Sequence, residues 1–371
     1  MKAMLAKRLV ADLMNWSDER ATEEFGWLEL MVDYKFDHYQ GYGAGHRFYV
    51  HLLQWISQFK STPDRECAYA LLRKRLIYVS QREMHHLVSL SWPQIAGQMR
   101  RAIARRHRVP VYKVGELPQM RRQLAVMQMR TLYVGVSDGA RIDVFRRYNE
   151  GAISNEQVVP MAEISSSKKE SLCNKLQERL TKFGASEPAT FEWVCLIDDF
   201  TGSGTSSIRV DGSIWDGKVN KFIKDNALQE DPPFIAEGAH ILVHHYLASA
   251  WAASQVTDLL QRYQAYQSRF TFIPSFSHVL PASIQIEAAV DPALETLLKN
   301  RYDPSVETTH TGTDIWLGYK QCGLPLVLDH NAPNNSVATL WARSDPNKKN
   351  YNSANRMSPL FPRRQRHSDA R

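Results

Sequence analysis

The stretch VCLIDDFTGSGTSS, Val194 to Ser207, holds the residue types best suited to chemistry in this chain. An apolar run, Val194 to Ile197, reads as the end of a buried strand. Two adjacent acids follow, Asp198 and Asp199, and then a loop rich in glycine, serine and threonine. Gly202 and Gly204 let the backbone bend tightly and turn its N–H groups outward. Ser203, Thr205, Ser206 and Ser207 add hydroxyl donors. Placed where a helix begins, such a loop cradles an anion, because unpaired donors and partial positive charge converge on one point. It is not a G-x-x-x-x-G-K-[ST] loop, since the lysine is missing. It is not a dinucleotide fingerprint either, since carboxylates stand where the first glycine belongs. Carboxylates repel anions, so loop and acids together call for a ligand with separate parts. A pentose 5-phosphate is such a ligand. The loop takes the phosphate, and the acids accept hydrogen bonds from the 2- and 3-hydroxyls. The acids also favour a divalent cation, directly or through water. The plainer alternative is an ordinary strand-to-helix turn with surface acids.

The elements that must position this stretch follow from hydrophobic periodicity. Residues 1 to about 128 read as mostly helical, as in RFYVHLLQWISQF (Arg47 to Phe59) and QREMHHLVSLSWPQIAGQMRRAIARR (Gln81 to Arg106). Pro93 is expected to interrupt the second helix or to open a new one. His85 and His86 read as helix residues, because no acid or cysteine at ligand spacing accompanies them. From Met129 the character changes. TLYVGV (Thr131 to Val136) reads as a buried strand, SDGAR as a turn, IDVFRRYN as a helix and VVPMAEI (Val158 to Ile164) as a second strand. Ser167-Lys168-Lys169-Glu170 has the form of a capping box, and Leu172, Leu176, Leu180 and Phe183 make one apolar stripe after it. EWVCLI (Glu192 to Ile197) is a third strand and HILVHHYLA (His240 to Ala248) a fourth. The helix AASQVTDLLQRYQAY and the strand RFTFIPSF follow. Strands alternating with helices predict an α/β fold with a parallel, Rossmann-like sheet. Right-handed crossovers put all strand C-termini on one edge, where ligands bind in open sheets.

The opening stretch resembles the phosphoribosyl pyrophosphate motif of type I phosphoribosyltransferases. That motif is four apolar residues, two acids, three variable residues and then [ST]-G-x-[ST]. Val194 to Ile197, Asp198 and Asp199, Phe200 to Gly202, and Ser203-Gly204-Thr205-Ser206 fill it without a gap. The resemblance implies a sheet of the type I phosphoribosyltransferase kind. It implies Asp198 and Asp199 as the catalytic and Mg²⁺-binding pair, and Thr201, Gly202, Ser203, Gly204, Thr205 and Ser206 as the 5-phosphate loop. It also implies that the first core strand ends in a loop holding pyrophosphate. Tyr133 to Arg141 looks like that element, with Ser137, Asp138, Gly139 and Arg141 against the ligand. Gly139 permits close backbone approach and Arg141 pairs with phosphate. Asp138 sits awkwardly beside pyrophosphate unless it helps hold Mg²⁺, and a simple strand–helix turn is the alternative. A flap lysine is common in the family. Lys168 and Lys169 lie in the right region, though capping and solvation explain them equally.

The resemblance extends further. SQREMHHLV (Ser80 to Val88), VGVSDGARIDVFRR, DDFTGSG and GLPLVLDHNAPNNSVATLW (Gly323 to Trp341) together look like phosphoribosyltransferase-like proteins of prokaryotic conflict systems, some of which accompany reverse transcriptases in retrons. This implies an antiphage effector that uses phosphoribosyl pyrophosphate or a related nucleotide. Its partners would be a reverse transcriptase and its msDNA, or other defence proteins. The reaction implied is displacement at C1 of the ribose, or cleavage or modification of a nucleotide. The rivals are a non-catalytic nucleotide sensor and a nucleic-acid-associated structural subunit. In the late segment Leu324 to Leu328 reads as a strand with Asp329-His330-Asn331 at its end. Asn331, Asn334 and Asn335 either read a base or sugar edge or build the turn that Pro333 fixes. Nothing assigns His330 a role. The expected organisation is a helical region 1–128, an α/β domain 129–345 and a basic tail 346–371.

Composition bounds the rest. The chain has 371 residues, 43% hydrophobic and 23% charged, as in ordinary globular proteins, and a formal charge of +7. Basic residues cluster in Met99 to Lys113 and in Pro362 to Arg371. On a helix Arg101, Arg105 and Arg108 share a face, which suits either solvent or nucleic acid. Cys67, Cys173, Cys195 and Cys322 are scattered without C-x-x-C spacing, which argues against a disulfide framework or a zinc site and suits a reducing cytoplasm. The first residues lack the apolar core of a signal peptide. No run approaches eighteen apolar residues, so no membrane span is expected.

Overall fold

A computed structural model describes residues 3–227, 233–287, 289–309 and 311–363. It divides the chain into two compact units, Met1–Glu83 with Ala282–Arg371, and Met84–Pro281. The sequence alone suggests boundaries at 128 and 345. The difference arises because a short strand near each end of the chain pairs with the other.

The first unit opens with α1 (Ala3–Met14), α2 (Asp18–Tyr34), α3 (Phe48–Ser57), α4 (Thr62–Ala70) and β1 (Ile77–Val79). Ser17 and Ser61 cap α2 and α4 by accepting from the N–H groups of Arg20 and Asp64. Helix α5 (Gln81–His107) crosses the unit boundary, and Pro93 lies inside it without ending it. The expected interruption is absent because a proline removes only one helical hydrogen bond, while Val88, Ile95, Met99 and Ile103 bury the face on either side.

The second unit continues with α6 (Pro118–Met129), β2 (Thr131–Gly135), α7 (Ile142–Tyr148), β3 (Val158–Pro160), α8 (Ser166–Phe183) and β4 (Phe191–Thr201). Then come β5 (Arg209–Asp211), β6 (Ile214–Asp216), α9 (Lys218–Asn226), β7 (Ile235–Ser249), α10 (Ala250–Tyr266) and β8 (Thr271–Leu280). Five of these strands form an all-parallel sheet in the order β3-β2-β4-β7-β8. Counted within that sheet the order is 2-1-3-4-5, a doubly wound arrangement. The α/β expectation is met, with differences in detail. Strand β3 has only three residues, and α8 is capped by Ser165 rather than Ser167.

Alternation along the strands decides what each sheet face buries. Leu132, Val134, Val194, Leu196, Ile241 and Val243 pack with Leu172, Leu176 and Leu180 of α8, Phe222 of α9 and Leu260 of α10. Each fully buried apolar side chain of this kind contributes about 1.5–3 kcal/mol. Tyr133 projects from the other face, against Trp92 of α5 and Phe145 of α7. Helices α7 and α8 therefore lie on opposite faces, and the chain reverses its winding between β2 and β4.

The chain ends in the first unit, with α11 (Pro292–Asn300), β9 (Leu326–Leu328) and α12 (Ala338–Trp341). The late strand expected in the α/β domain is β9. It pairs in parallel with β1, Tyr78 opposite Val327, in a sheet of its own. Within the segment expected to be a basic tail, Leu360 and Phe361 are fully buried and the Tyr39 hydroxyl donates to the Pro362 carbonyl at 2.8 Å. The basic stretch from 364 onward lies outside the described residues. Helix α5 ends at His107, and Arg108 takes a left-handed φ of 54°. Arg108 therefore does not continue the helical face of Arg101 and Arg105. Among the described residues no helix is long and apolar enough to cross a membrane.

Candidate active site

Strand β4 does not end before the two acids but runs through them to Thr201. Asp198 pairs with His245 of β7, and Phe200 with Leu247. Neighbouring residues in a strand point to opposite faces. Asp198 therefore shares the face of Leu196, and Asp199 that of Ile197.

Asp198 is 2% exposed. Its Oδ1 accepts from the Ser137 hydroxyl and its Oδ2 from the Lys218 ammonium, which forms an ion pair with it. Burial raises its pKa above the usual carboxylate range, and the Lys218 charge opposes that rise. Beside it lies a cavity of about 10 Å³, lined among others by Leu196, Ser207, Lys218 and His245. That is room for about one water molecule. Asp199 is half-buried, and its Oδ1 accepts from the Phe200 N–H at 2.8 Å.

The segment after β2 meets this strand end. The Val136 N–H donates to the Ile197 carbonyl at 3.0 Å, and Ser137 reaches Asp198. A Cβ on Gly139 would stand 2.8 Å from the Asp199 carboxyl carbon, so a side chain there would push the Asp199 carboxylate from its place. Asp138 is exposed, and Arg141 has a left-handed φ of 45° as it leads into α7. From below, the buried Tyr246 donates its hydroxyl to the Ala140 carbonyl at 2.8 Å. Ser137, Asp138, Gly139, Arg141, Asp198 and Asp199 thus come together at the C-terminal edge, at the point where the winding reverses. In doubly wound sheets this is where ligands bind.

The loop Thr201 to Ser207 closes on itself. The Thr201 hydroxyl accepts from the Gly204 N–H at 3.1 Å, and the Ser203 and Thr205 hydroxyls are 3.0 Å apart. Ser249 holds the Gly202 carbonyl at 2.8 Å. Gly204 has φ +79°, and a Cβ there would also crowd Val256 at 3.1 Å. Among the described residues the backbone N–H groups of Ser203, Thr205 and Ser206 donate to no protein acceptor. Three open donors on one short loop suit an oxyanion. The expected helix does not follow directly. The hairpin β5–β6 intervenes, and the first amides of α9, Lys218 and Val219, donate to the Ser206 and Ser207 carbonyls at 3.1 and 3.0 Å. The helix end therefore braces the loop instead of facing an anion itself.

Two neighbouring histidines underlie the site. His244 bonds Ser275 at 2.9 Å and Ser277 at 3.1 Å, and His245 bonds Ser207 at 2.7 Å. Burial lowers both to about 3, so both are neutral at pH 7. Because the unfolded chain protonates near 6.5, their contribution to stability is complete above that pH and is lost as pH falls toward 3. Two protons bound on unfolding give a slope of about 2.7 kcal/mol per pH unit at its steepest. Urea titrations between pH 7 and pH 4 are expected to show it, with the slope roughly halved in His244→Asn. Stability that stays flat from pH 6.5 to 4.5 would contradict the buried neutral pair.

Against models of protein families, the chain matches the one described as PRTase-CE over residues 52–363. The chain belongs to the PRTase-CE family. It is thus phosphoribosyltransferase-like, as the motif at Val194 to Ser206 implies. Curated proteins and solved structures give no significant match.

In this PRTase-CE protein Asn331, Asn334 and Asn335 belong to the unit that contains α1–α4, and the residues described above belong to Met84–Pro281. Asn335 is buried and its amide donates to the Tyr319 carbonyl at 3.3 Å, while the Asn331 N–H donates to the Leu328 carbonyl at 3.1 Å. These are turn-building contacts. Lys169 is buried and bonds the Asp225 carbonyl at 3.2 Å, so it anchors α9; Lys168 is half-buried in the first turn of α8. Among the described residues no group of three or more His, Cys, Asp or Glu side chains can hold a metal. Lys218, His245 and Tyr246 are the residues that the motif does not announce. One sequence signal pointed toward Lys218: Asp211-Gly212 between β-formers marks a hairpin, which returns the chain to the loop it left.

Proposed function

We propose that this PRTase-CE protein binds phosphoribosyl pyrophosphate, or a nucleotide carrying the same phosphorylated ribose, and acts at ribose C1. One observation carries the proposal. The segment Ser137 to Arg141 and the loop Thr201 to Ser206 leave adjacent parallel strands at the switch point, with Asp199 and Gly139 in contact between them. The loop supplies open N–H donors for a 5-phosphate, and Arg141 lies in the segment facing the leaving group. The same placement supports a sheet of the type I phosphoribosyltransferase kind, since the first core strand ends in the segment that would hold pyrophosphate.

In the reaction a nitrogen nucleophile bonds to C1 as the C1–O bond to pyrophosphate breaks. The electron pair leaves on the pyrophosphate oxygen, and the nucleophile sheds its proton. Mg²⁺ enters as part of the substrate and offsets charge on the departing group. The protein's own residues bind and orient the sugar, and most of the rate comes from that positioning. The test is calorimetry and turnover with labelled phosphoribosyl pyrophosphate and Mg²⁺. Asp199→Asn is expected to weaken binding about tenfold or more, the share of a charge-assisted hydrogen bond. Binding without turnover identifies a nucleotide sensor. Absence of binding rejects the proposal.

The setting we propose is antiphage defence in the cytoplasm, in an assembly of the retron kind with a reverse transcriptase and its DNA. The exposed Arg100, Arg101 and Arg105 near the end of α5 supply a basic surface for such a partner. A steep salt dependence of nucleic-acid binding is the expected sign, and salt-independent association would point to a protein partner.

A further inference from the structure

We infer that the corner between α5 and α6 binds single-stranded nucleic acid, with arginines on the phosphates and Tyr112 under one of the bases. This goes beyond a general basic surface and does not rest on the phosphoribosyl reading. It begins in composition. From Met99 to Arg122 eight side chains are cationic and only Glu116 is acidic. Glu116 is already paired with Lys113, and Arg106 with Glu192 at 3.7 Å. Arg100, Arg105, Arg108 and Arg121 are exposed, and among the described residues their side chains form no ion pair or hydrogen bond. Like charges gathered on one corner repel one another, and a polyanion relieves that repulsion.

The corner is a fixed one. Helix α5 stops at His107, whose ring nitrogen bonds the Gln123 side chain of α6 at 2.7 Å. Arg108 turns left-handed, the Val109 N–H donates back to the Ala104 carbonyl at 3.0 Å, and Val114 is fully buried in the short turn Val111–Gly115. The same turn leaves Tyr112 66% exposed, with Val111 and Leu117 exposed in the same segment. The Lys113 ammonium lies 5.3 Å from the Tyr112 ring centre. Arginines alone would serve a duplex or an acidic protein equally well. An aromatic ring held open among cations adds a platform for an unpaired base, and stacking on such rings is how proteins hold single strands without regard to sequence.

The surface is separate from the candidate active site. Arg106 and Arg130 both meet Glu192 at the start of β4, so the corner lies by the N-terminal edge of the sheet. Asp198 is six residues further along the same strand, about 20 Å away. A nucleic-acid strand bound at the corner therefore leaves the other edge open to a small ligand.

Fluorescence anisotropy with the full chain tests this, using oligothymidylate, oligouridylate and a blunt DNA duplex over a range of salt concentrations. At least one single strand is expected to bind more tightly than the duplex by about tenfold, the share of one stacked base. Which of the two binds tells DNA from RNA. Tyr112→Ala should remove about that factor for the single strand and leave the duplex and the salt slope unchanged, and Tyr112→Phe should restore it. Replacing Arg105, Arg108 and Arg121 together with Gln should weaken every ligand. For the single strand it should lower the slope of log affinity against log salt by about 2, near 0.7 per lost phosphate contact. All these side chains are exposed, so the Tm of each variant should match that of the parent. Failure of both single strands to bind at low salt overturns the inference. So does a duplex bound as tightly as either of them, a salt slope unmoved by the arginine variant, or single-strand binding that Tyr112→Ala leaves intact. None of these outcomes depends on whether the protein binds phosphoribosyl pyrophosphate.

Discussion

Thr205→Asp is expected to lower affinity for ribose 5-phosphate about a hundredfold while leaving the protein folded. The Thr205 hydroxyl stands 3.0 Å from that of Ser203, inside the loop whose amides are open. A carboxylate there would lie within about 4 Å of a bound phosphate. At that distance two unit charges repel by roughly 4 kcal/mol at an effective dielectric near 20. Unrelieved, that is about a thousandfold in affinity. Relief comes from Arg209, whose guanidinium donates to the Thr205 carbonyl at 3.2 Å and can turn toward the new charge. The stability change should be about 1 kcal/mol, the share of one hydroxyl hydrogen bond. Calorimetry with ribose 5-phosphate and with an uncharged nucleoside checks the prediction. Equal loss of both ligands in a folded variant would mean that this loop does not hold the phosphate.

Lys218→Met is expected to destabilise the protein by about 3 kcal/mol. Removing one partner of a buried ion pair leaves the other charge uncompensated, which costs roughly 3–5 kcal/mol. The lower end applies because the Lys218 side chain is 28% exposed while that of Asp198 is 3%. In a unit of this size the change corresponds to a drop of roughly 6–12 °C in Tm. The loss should depend on pH. Without the ammonium, burial holds the Asp198 carboxyl further above its unfolded value, so the folded variant takes up a proton more readily than the unfolded chain. For a raised carboxyl the stability is greatest at low pH and is lost as pH rises through the folded pKa. The gap between variant and parent should therefore widen from pH 5 to pH 8. Asp198→Asn in the Lys218→Met background should recover much of it. A Tm within about 1 °C of the parent at pH 8 would show that the pair contributes little.

Local pattern carried the α/β character, most strand and helix positions and the glycine- and hydroxyl-rich loop after β4. Val194 to Leu196 and Ile241 to Val243 are near-continuous apolar runs, and only a strand buried on both faces uses such runs between helices. The order of two acids, Gly202 and Gly204 and the hydroxyl residues is a property of neighbours along the chain, and it points to a phosphorylated sugar before any contact is known. Boundaries were less legible. Strand β4 extends past Ile197 because β7 offers it partners as far as Ala248, and pairing partners are distant in sequence. Leu326 to Leu328 reads as a strand locally, yet its partner is Ile77 to Val79 in a separate sheet, which no local pattern reveals. What the tertiary structure alone decided is the character of the acids. In sequence Asp198 and Asp199 are equivalent. In the fold the pleat separates them, and Lys218, brought back by a hairpin, joins Ser137 from another strand to take up one of them. Such a contact depends on groups 20 and 61 positions away, so its energy is set by packing rather than by spacing.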